Sequence, residues 1–203
     1  MKSTNACLAL FLLVALAGCN GTDGDPVKPV PSVEQRVEAL LSEMTLDEKL
    51  EQMVGKMPFA EFLSLLTELE TVETWDTPEN ERLGIPGLRF AEGPRGVKTC
   101  FPVGMARGAA WDVDLEERVG RAMGLEARAK GANVLNAPCI NLLRHPGWGR
   151  AQETYGEDPF QIGTMGVHFV NGVQEHVMAD AKHYALNSIE RNRFLINIDA
   201  DER

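Results

Sequence analysis

Apolar positions first recur at helical spacing at Val33, Val37, Leu40 and Leu41, behind a Ser32–Gln35 pair that fits a capping box. Thr45 and Glu48 repeat that pair and open a second helix through Leu50 and Met53. A third apolar run, Phe59 to Leu69, follows Pro58, a residue suited to a first helical turn. The pattern then shortens. Gly84 to Gly87 is a turn cluster, Leu88-Arg89-Phe90 a short strand, and Ala91 to Gly96 a tight loop. Asp112 or Asp114 caps a helix through Leu115, Val119, Met123 and Ala127 that stops near Gly131. Asn133 to Ala137 forms a strand and leads through Pro138 and Ile140 into a long polar loop, Arg144 to Phe160. Pro159 opens a helix through Ile162, Met165, Phe169, Val170 and Val173, and Val177 to Tyr184 is the next strand. Phe194 to Ile198 alternates as a strand does, and Ala200 to Arg203 has the acidic character of a first helical turn.

Strand, loop, helix, strand, loop, helix, strand predicts an α/β chain with a parallel sheet and right-handed crossovers. Its polar residues share one register. Glu92 and Arg95 follow the first strand, Arg144 to Asp158 the second, and Lys182 and His183 close the third. Residues just past strand C-ends share one face of a (β/α) barrel, where such barrels carry their chemistry. A doubly wound sheet also aligns its strand ends, but Gly147-Trp148-Gly149 lies inside a long loop and not at a strand–helix turn. The Arg144 to Phe160 loop combines guanidinium groups with carboxylates that can orient them, a set suited to gripping a polar ligand. Trp148 and Tyr155 offer flat faces on which a sugar ring can stack. A surface loop held by its own salt bridges is the alternative.

The chain has 203 residues, 44% hydrophobic and 25% charged, an ordinary globular balance, and its net charge of −10 argues against a nucleic-acid partner. Lys2 followed by the apolar run Ala6 to Ala17, too short to span a bilayer, reads as a signal peptide over residues 1–18. Leu16-Ala17-Gly18-Cys19 resembles a bacterial lipobox, which makes Cys19 the expected lipid-attachment residue. An ordinary signal peptide with an incidental cysteine is the competing account. Residues 19–31 then form a Gly- and Pro-rich tether ahead of a domain over 32–203. The expected location is exported, periplasmic or at the cell surface. Asn20, rather than aspartate, favours the outer membrane.

Cys100 and Cys139 fall in loops, where an exported compartment permits a bridge, although two buried free thiols are the commoner arrangement. The four histidines show no metal-ligand spacing, His168 and His176 reading as helix-face residues, so neither metal nor cofactor is expected. Trp75 and Trp111 could serve as platforms for a ligand, with Trp111 better suited to core packing.

Three blocks carry a family resemblance. Asn80-Glu-Arg-Leu-Gly-Ile-Pro86 with Phe90-Ala-Glu-Gly-Pro-Arg-Gly-Val97 resembles the opening signature of glycoside hydrolase family 3. Asn141-Leu-Leu-Arg-His-Pro-Gly-Trp-Gly-Arg-Ala-Gln-Glu-Thr-Tyr-Gly-Glu-Asp-Pro159 is similar to its second block. Ala181-Lys-His-Tyr-Ala-Leu-Asn187, with Glu190 and Arg193, is similar to its third. The likeness is greatest to the bacterial and fungal β-glucosidase branch. It implies the N-terminal part of a (β/α)8 barrel of the TIM type that binds the terminal sugar of an oligosaccharide or other β-glycoside. Substrate contacts carry over to Glu92, where the family more often has aspartate, and to Arg150, Lys182 and His183. Glu153, Glu157 and Asp158 carry over as groups that orient the arginines.

The implied reaction is retaining hydrolysis by two carboxylates about 5–5.5 Å apart. The family's nucleophilic aspartate lies in a later Ser-Asp-Trp-like block, absent here, with the acid/base glutamate later still. A full barrel takes about 250 residues. Residues 32–203 are therefore expected to be an N-terminal piece of an exported β-glucosidase-like hydrolase, inactive alone, with no catalytic residue of its own. A lipid-anchored sugar-binding protein that ends at Arg203 is the alternative.

Overall fold

The computed structural model describes residues 30–56 and 75–201. The proposed signal peptide, Cys19, most of the tether and the Phe59 to Leu69 run lie outside them. The chain divides into two compact units, residues 1–42 and 43–203. Helix α1 (Val33–Glu43) fills the described part of the first, and none of its residues is buried. Its N-terminus closes as expected, with Gln35 Oε1 accepting the Ser32 N–H at 2.9 Å and Ser32 Oγ accepting the Gln35 N–H.

In the second unit α2 (Leu46–Glu51) carries the reciprocal Thr45–Glu48 capping box. Arg82 donates twice to Glu48, at 2.8 and 2.6 Å, which ties the helix to the turn that the Asn80–Ile85 bridge closes. Four short strands follow: β1 (Trp75–Asp76), β2 (Arg89–Glu92), β3 (Val134–Asn136) and β4 (Met178–Ala179), in that spatial order. β1 runs antiparallel to β2, whereas β2, β3 and β4 are parallel, with Phe90 opposite Val134, Glu92 opposite Asn136, and Val134 opposite Met178. Between them lie α3 (Gly104–Ala109), α4 (Val113–Ala129) and α5 (Pro159–Gln174).

Both long helices obey their sequence signals. Asp112 caps α4 by accepting the Leu115 N–H at 2.8 Å, and Asp158 caps α5 by accepting the Gln161 N–H at 2.9 Å. Gly131 (φ +84°) stops the first helix in a left-handed conformation that L side chains rarely adopt. Their apolar faces meet over the sheet in one core of Ala91, Val119, Met123, Ala127, Leu135, Phe169 and Val173. Fully burying a side chain such as Phe169 or Met123 stabilises by about 2 kcal/mol. Glycines set the separation: a Cβ on Gly172 would lie 2.1 Å from the Glu117 carbonyl oxygen, and one on Gly120 2.3 Å from that of Phe169. Among the described residues no helix is long and apolar enough to cross a membrane.

Three strand expectations need correction. β2 runs on to Glu92, so Ala91 is a buried strand residue and the loop starts at Gly93. Within Val177 to Tyr184 only Met178–Ala179 is strand, with one further bridge between Lys182 and Cys139. Phe194 to Ile198 is not a strand; Phe194 and Leu195 are 86% and 87% exposed, and the Leu195 and Ile196 N–H groups turn back to the Asn192 carbonyl. Ala200 and Asp201 are likewise not helical.

Candidate functional site

The strand register brings Glu92, the last residue of β2, beside Asn136, the last of β3. Beyond β3 the chain passes Ala137 and Pro138 to Cys139, which bridges in parallel to Lys182. Glu92 and Lys182, far apart in the chain, thereby meet at one end of the sheet, and Lys182 Nζ donates to Glu92 Oε2 at 2.8 Å. Asn136 Nδ2 approaches the other carboxylate oxygen at 3.5 Å. The Glu92 side chain is 52% exposed and that of Lys182 11%, so the pair opens on its carboxylate side.

His183 follows directly and is held by Asn141, whose side-chain oxygen lies 2.9 Å from its backbone nitrogen and 2.8 Å from Nδ1. Burial, then the positive charges of Arg150 and Lys182, hold its imidazole below the usual histidine pKa. Arg150 presents its fork to Glu153, with Nε–Oε1 2.8 Å and Nη2–Oε2 2.7 Å, and Glu190 Oε1 lies 3.9 Å from Nη1. Burial pushes the Glu153 carboxyl up, but its hydrogen bonds and charge contact with Arg150, aided by Lys182, bring it below the ordinary range. Glu190 in turn accepts from Asn187 at 2.9 Å and from Arg193 at 3.0 Å. Of the four expected contact residues, Glu92 pairs with Lys182 while Arg150 pairs with Glu153 instead. His183 follows Lys182 in the chain and lies within reach of the Arg150 charge.

Other expectations fail here. Trp148 and Tyr155 are 4% and 2% exposed and cannot stack a ring from solvent; Tyr155 turns inward into a small core with Ile162 and Met165. Asp158 caps α5 and Glu157 is exposed; of the three proposed orienting carboxylates, Glu153 alone pairs with an arginine. Trp111 is 71% exposed at φ 53°, on the turn between α3 and α4, and is not a core residue. Cys139 is buried as expected, Cys100 is exposed, and both thiols are free, so there is no bridge.

The sequence reading missed a sealed centre behind this site. Arg107 on α3 pairs with Glu116 on α4 at 2.9 Å, their side chains 5% and 1% exposed. Arg107 also donates to the carbonyls of Pro94 (3.2 Å) and Pro102 (2.5 Å), which lie on the connection after β2. Tyr155 donates its hydroxyl to Glu116 Oε1 at 2.6 Å, and burial pushes its pKa well above the ordinary value of 10. The guanidinium lies 5.9 Å from the Tyr155 ring centre and 5.8 Å from that of Phe169. One ion pair therefore anchors both the connection that follows Glu92 and the segment that follows Arg150. The available signal was Glu116 itself, a charge on the apolar stripe of α4 in step with Val119, Met123 and Ala127.

Glycines again permit the approach. A Cβ on Gly104 or Gly108 would lie 2.1 Å from the carbonyl oxygen of Glu153 or Tyr155. The same connection is held from α4 by Glu126, which accepts from the backbone N–H groups of Lys98 and Thr99, both at 3.0 Å, and from the Thr99 hydroxyl at 2.6 Å. Among the described residues no cluster of His, Cys, Asp and Glu is arranged to hold a metal.

A family model described as the glycosyl hydrolase family 3 N-terminal domain matches residues 42–189. Beta-glucosidase B of Emericella nidulans is 34% identical over 179 residues, 83% of this chain and 19% of the relative. A beta-glucosidase of Rhizobium radiobacter is 39% identical over 166 residues, 76% of this chain and 20% of the relative. Beta-glucosidase 3B from Thermotoga neapolitana, solved in complex with glucose, superposes with a TM-score of 0.69 at 35% identity, over 79% of this chain and 24% of that one. DesR, a beta-glucosidase from Streptomyces venezuelae in complex with D-glucose, gives a TM-score of 0.69 at 32% identity, over 85% and 21%. The chain spans about a fifth of the length of these curated relatives.

Proposed function

This chain belongs to glycosyl hydrolase family 3, and from that premise we propose that it forms the sugar-gripping part of a retaining β-glucosidase. In this reading Glu92, Lys182, His183 and Arg150 hold the terminal glucose unit of a β-glycoside. The observation that carries it is the half-open Glu92–Lys182 pair, a carboxylate and an ammonium side by side at the sheet's end. A sugar rim needs both kinds of partner, because each hydroxyl donates one hydrogen bond and accepts others. Glu92 accepts, Lys182 and Arg150 donate, and hydrogen bonds that strengthen as the ring distorts favour the transition state.

The carboxylates beside the site are each engaged by a cation: Glu92 by Lys182, Glu153 by Arg150, Glu190 by Arg193. That supports positioning roles for them, so we assign the nucleophile and the acid/base to residues outside 1–203. The test is hydrolysis of an aryl β-glucoside, and its inhibition by glucose, with the complete protein. Turnover is expected, and Glu92→Gln or Lys182→Met should raise KM and weaken glucose inhibition together by about tenfold or more. No turnover and no glucose binding would overturn the reading.

Export with lipid attachment at Cys19 completes the proposal, supported by the lipobox-like Leu16-Ala17-Gly18-Cys19. Incorporation of labelled palmitate by the wild type but not by Cys19→Ser is the expected result. Equal labelling of both would remove the anchor from the proposal.

A further inference from the structure

Asn141 is 8% exposed, and its side-chain amide has one allowed orientation. Oδ1 accepts the backbone N–H of His183 at 2.9 Å, and Nδ2 donates to the backbone carbonyl of Asn187 at 3.1 Å. The donor and acceptor characters of those two backbone groups do not change. A reversed amide would set N–H against N–H and oxygen against oxygen. The same Oδ1 lies 2.8 Å from His183 Nδ1 and 3.5 Å from the Cys139 thiol. An oxygen that offers only lone pairs requires a proton on Nδ1, since a bare nitrogen at that distance would be repelled. The neutral ring then carries its lone pair on Nε2, a buried atom with no hydrogen-bond partner among the described residues. The Asn141 carbonyl, in turn, accepts the hydroxyl of buried Thr154, which locks its backbone to the segment bearing Arg150 and Glu153.

We propose that Asn141 is a positioning residue that fixes His183 as a hydrogen-bond acceptor, so that Nε2 receives the O–H of one hydroxyl of the bound sugar. The inference rests on the sugar-binding reading above and says how that site divides its work. Lys182 and Arg150 supply only donors, and an imidazolium beside them would add another, leaving hydroxyl protons to Glu92 alone. A neutral imidazole held in this tautomer adds a second acceptor. The surroundings of the ring agree: burial, and after it the charges of Arg150 and Lys182, oppose its protonation, while Glu153 and Glu190 offset them in part. The Cys139 thiol, its pKa raised chiefly by burial, adds no charge.

The experiment uses the complete protein. Histidine-selective 15N NMR, with the His183 signals assigned by their loss in His183→Gln, should show the proton on Nδ1 and a bare Nε2 at neutral pH. Competition by deoxy and deoxyfluoro glucoses then tests the role. At one hydroxyl both analogues should lose about tenfold in affinity, because fluorine cannot donate, and that loss should vanish in His183→Phe, whose ring has no acceptor atom. In Asn141→Asp the added carboxylate should raise the His183 pKa, so that KM rises about tenfold at the acid end and recovers at higher pH. A proton on Nε2, fluoro analogues that keep full affinity at every position, or a wild-type pH profile of KM in folded Asn141→Asp would each overturn the proposal. Absence of any glucose binding or turnover would instead overturn the sugar reading, and the NMR tautomer would still decide for or against the role of Asn141.

Discussion

Two cation–carboxylate pairs in this molecule have the same chemistry and opposite surroundings. Arg107 meets Glu116 at 2.9 Å with both side chains sealed at 5% and 1% exposure, while Lys182 meets Glu92 at 2.8 Å with the carboxylate 52% exposed. Distance does not separate them; water does. In the sealed pair every exchange of partner would strand a charge in a medium that cannot solvate it. Arg107 and Glu116 therefore hold fixed partners, the carbonyls of Pro94 and Pro102 and the hydroxyl of Tyr155. In the open pair water already competes for the carboxylate, so a sugar hydroxyl can take its place at small cost. The buried pair holds the loops still, and the open pair is free to trade partners.

Removing half of the sealed pair should separate the two regions most sharply. Arg107→Met is expected to cost about 3–5 kcal/mol in urea unfolding, because Glu116 is left charged and buried. Arg107→Met combined with Glu116→Leu should recover most of that, and Lys182→Met should stay within about 1 kcal/mol of wild type. Equal costs for Arg107→Met and Lys182→Met would erase the distinction.

Tyr155→Phe should cost about 1.5–3 kcal/mol by removing a hydrogen bond to a carboxylate. It also has a pH signature. The folded-state pKa of Tyr155 lies above its unfolded value of about 10. Its contribution is thus complete below pH 10 and is lost as pH rises from there toward the folded value. Unfolding monitored through that range should show wild-type stability falling and the variant lacking this decline.

Gly108→Ala forces a methyl group to within 2.1 Å of the Tyr155 carbonyl oxygen and should cost about 1–3 kcal/mol as α3 lifts from the loop. The smallest effect on stability should come from Glu92→Gln, within about 1 kcal/mol. There the loss should appear in glucose affinity instead. A large stability loss without any change in affinity would make the open pair structural after all.

Much of the local architecture was legible because its causes lie within a few residues. Ser32 with Gln35, Thr45 with Glu48 and Asp112 with Leu115 are contacts three positions apart, and periodicity identified the faces of α4 and α5. Strand existence was harder. β1 has two residues and no pattern, and the Phe194 to Ile198 segment turns back on the Asn192 carbonyl and pairs with no strand among the described residues. The polar candidates at or just past the ends of β2, β3 and β4 could be named because chemistry-bearing side chains stand out there.

The sequence by itself determined the helix caps, the helix faces and the order of strand and polar loop, since hydrogen bonds and side-chain periodicity along one element need no distant partner. Tertiary structure alone decided which side chains lose their water. It turned Trp148 and Tyr155 inward, left Trp111 outside, and sealed Arg107 against Glu116. It also joined Glu92 to Lys182 across 90 positions of chain and aimed Asn141 at His183 across 42. Burial is a property of the surfaces that meet, and a pattern read along the chain holds only one of them.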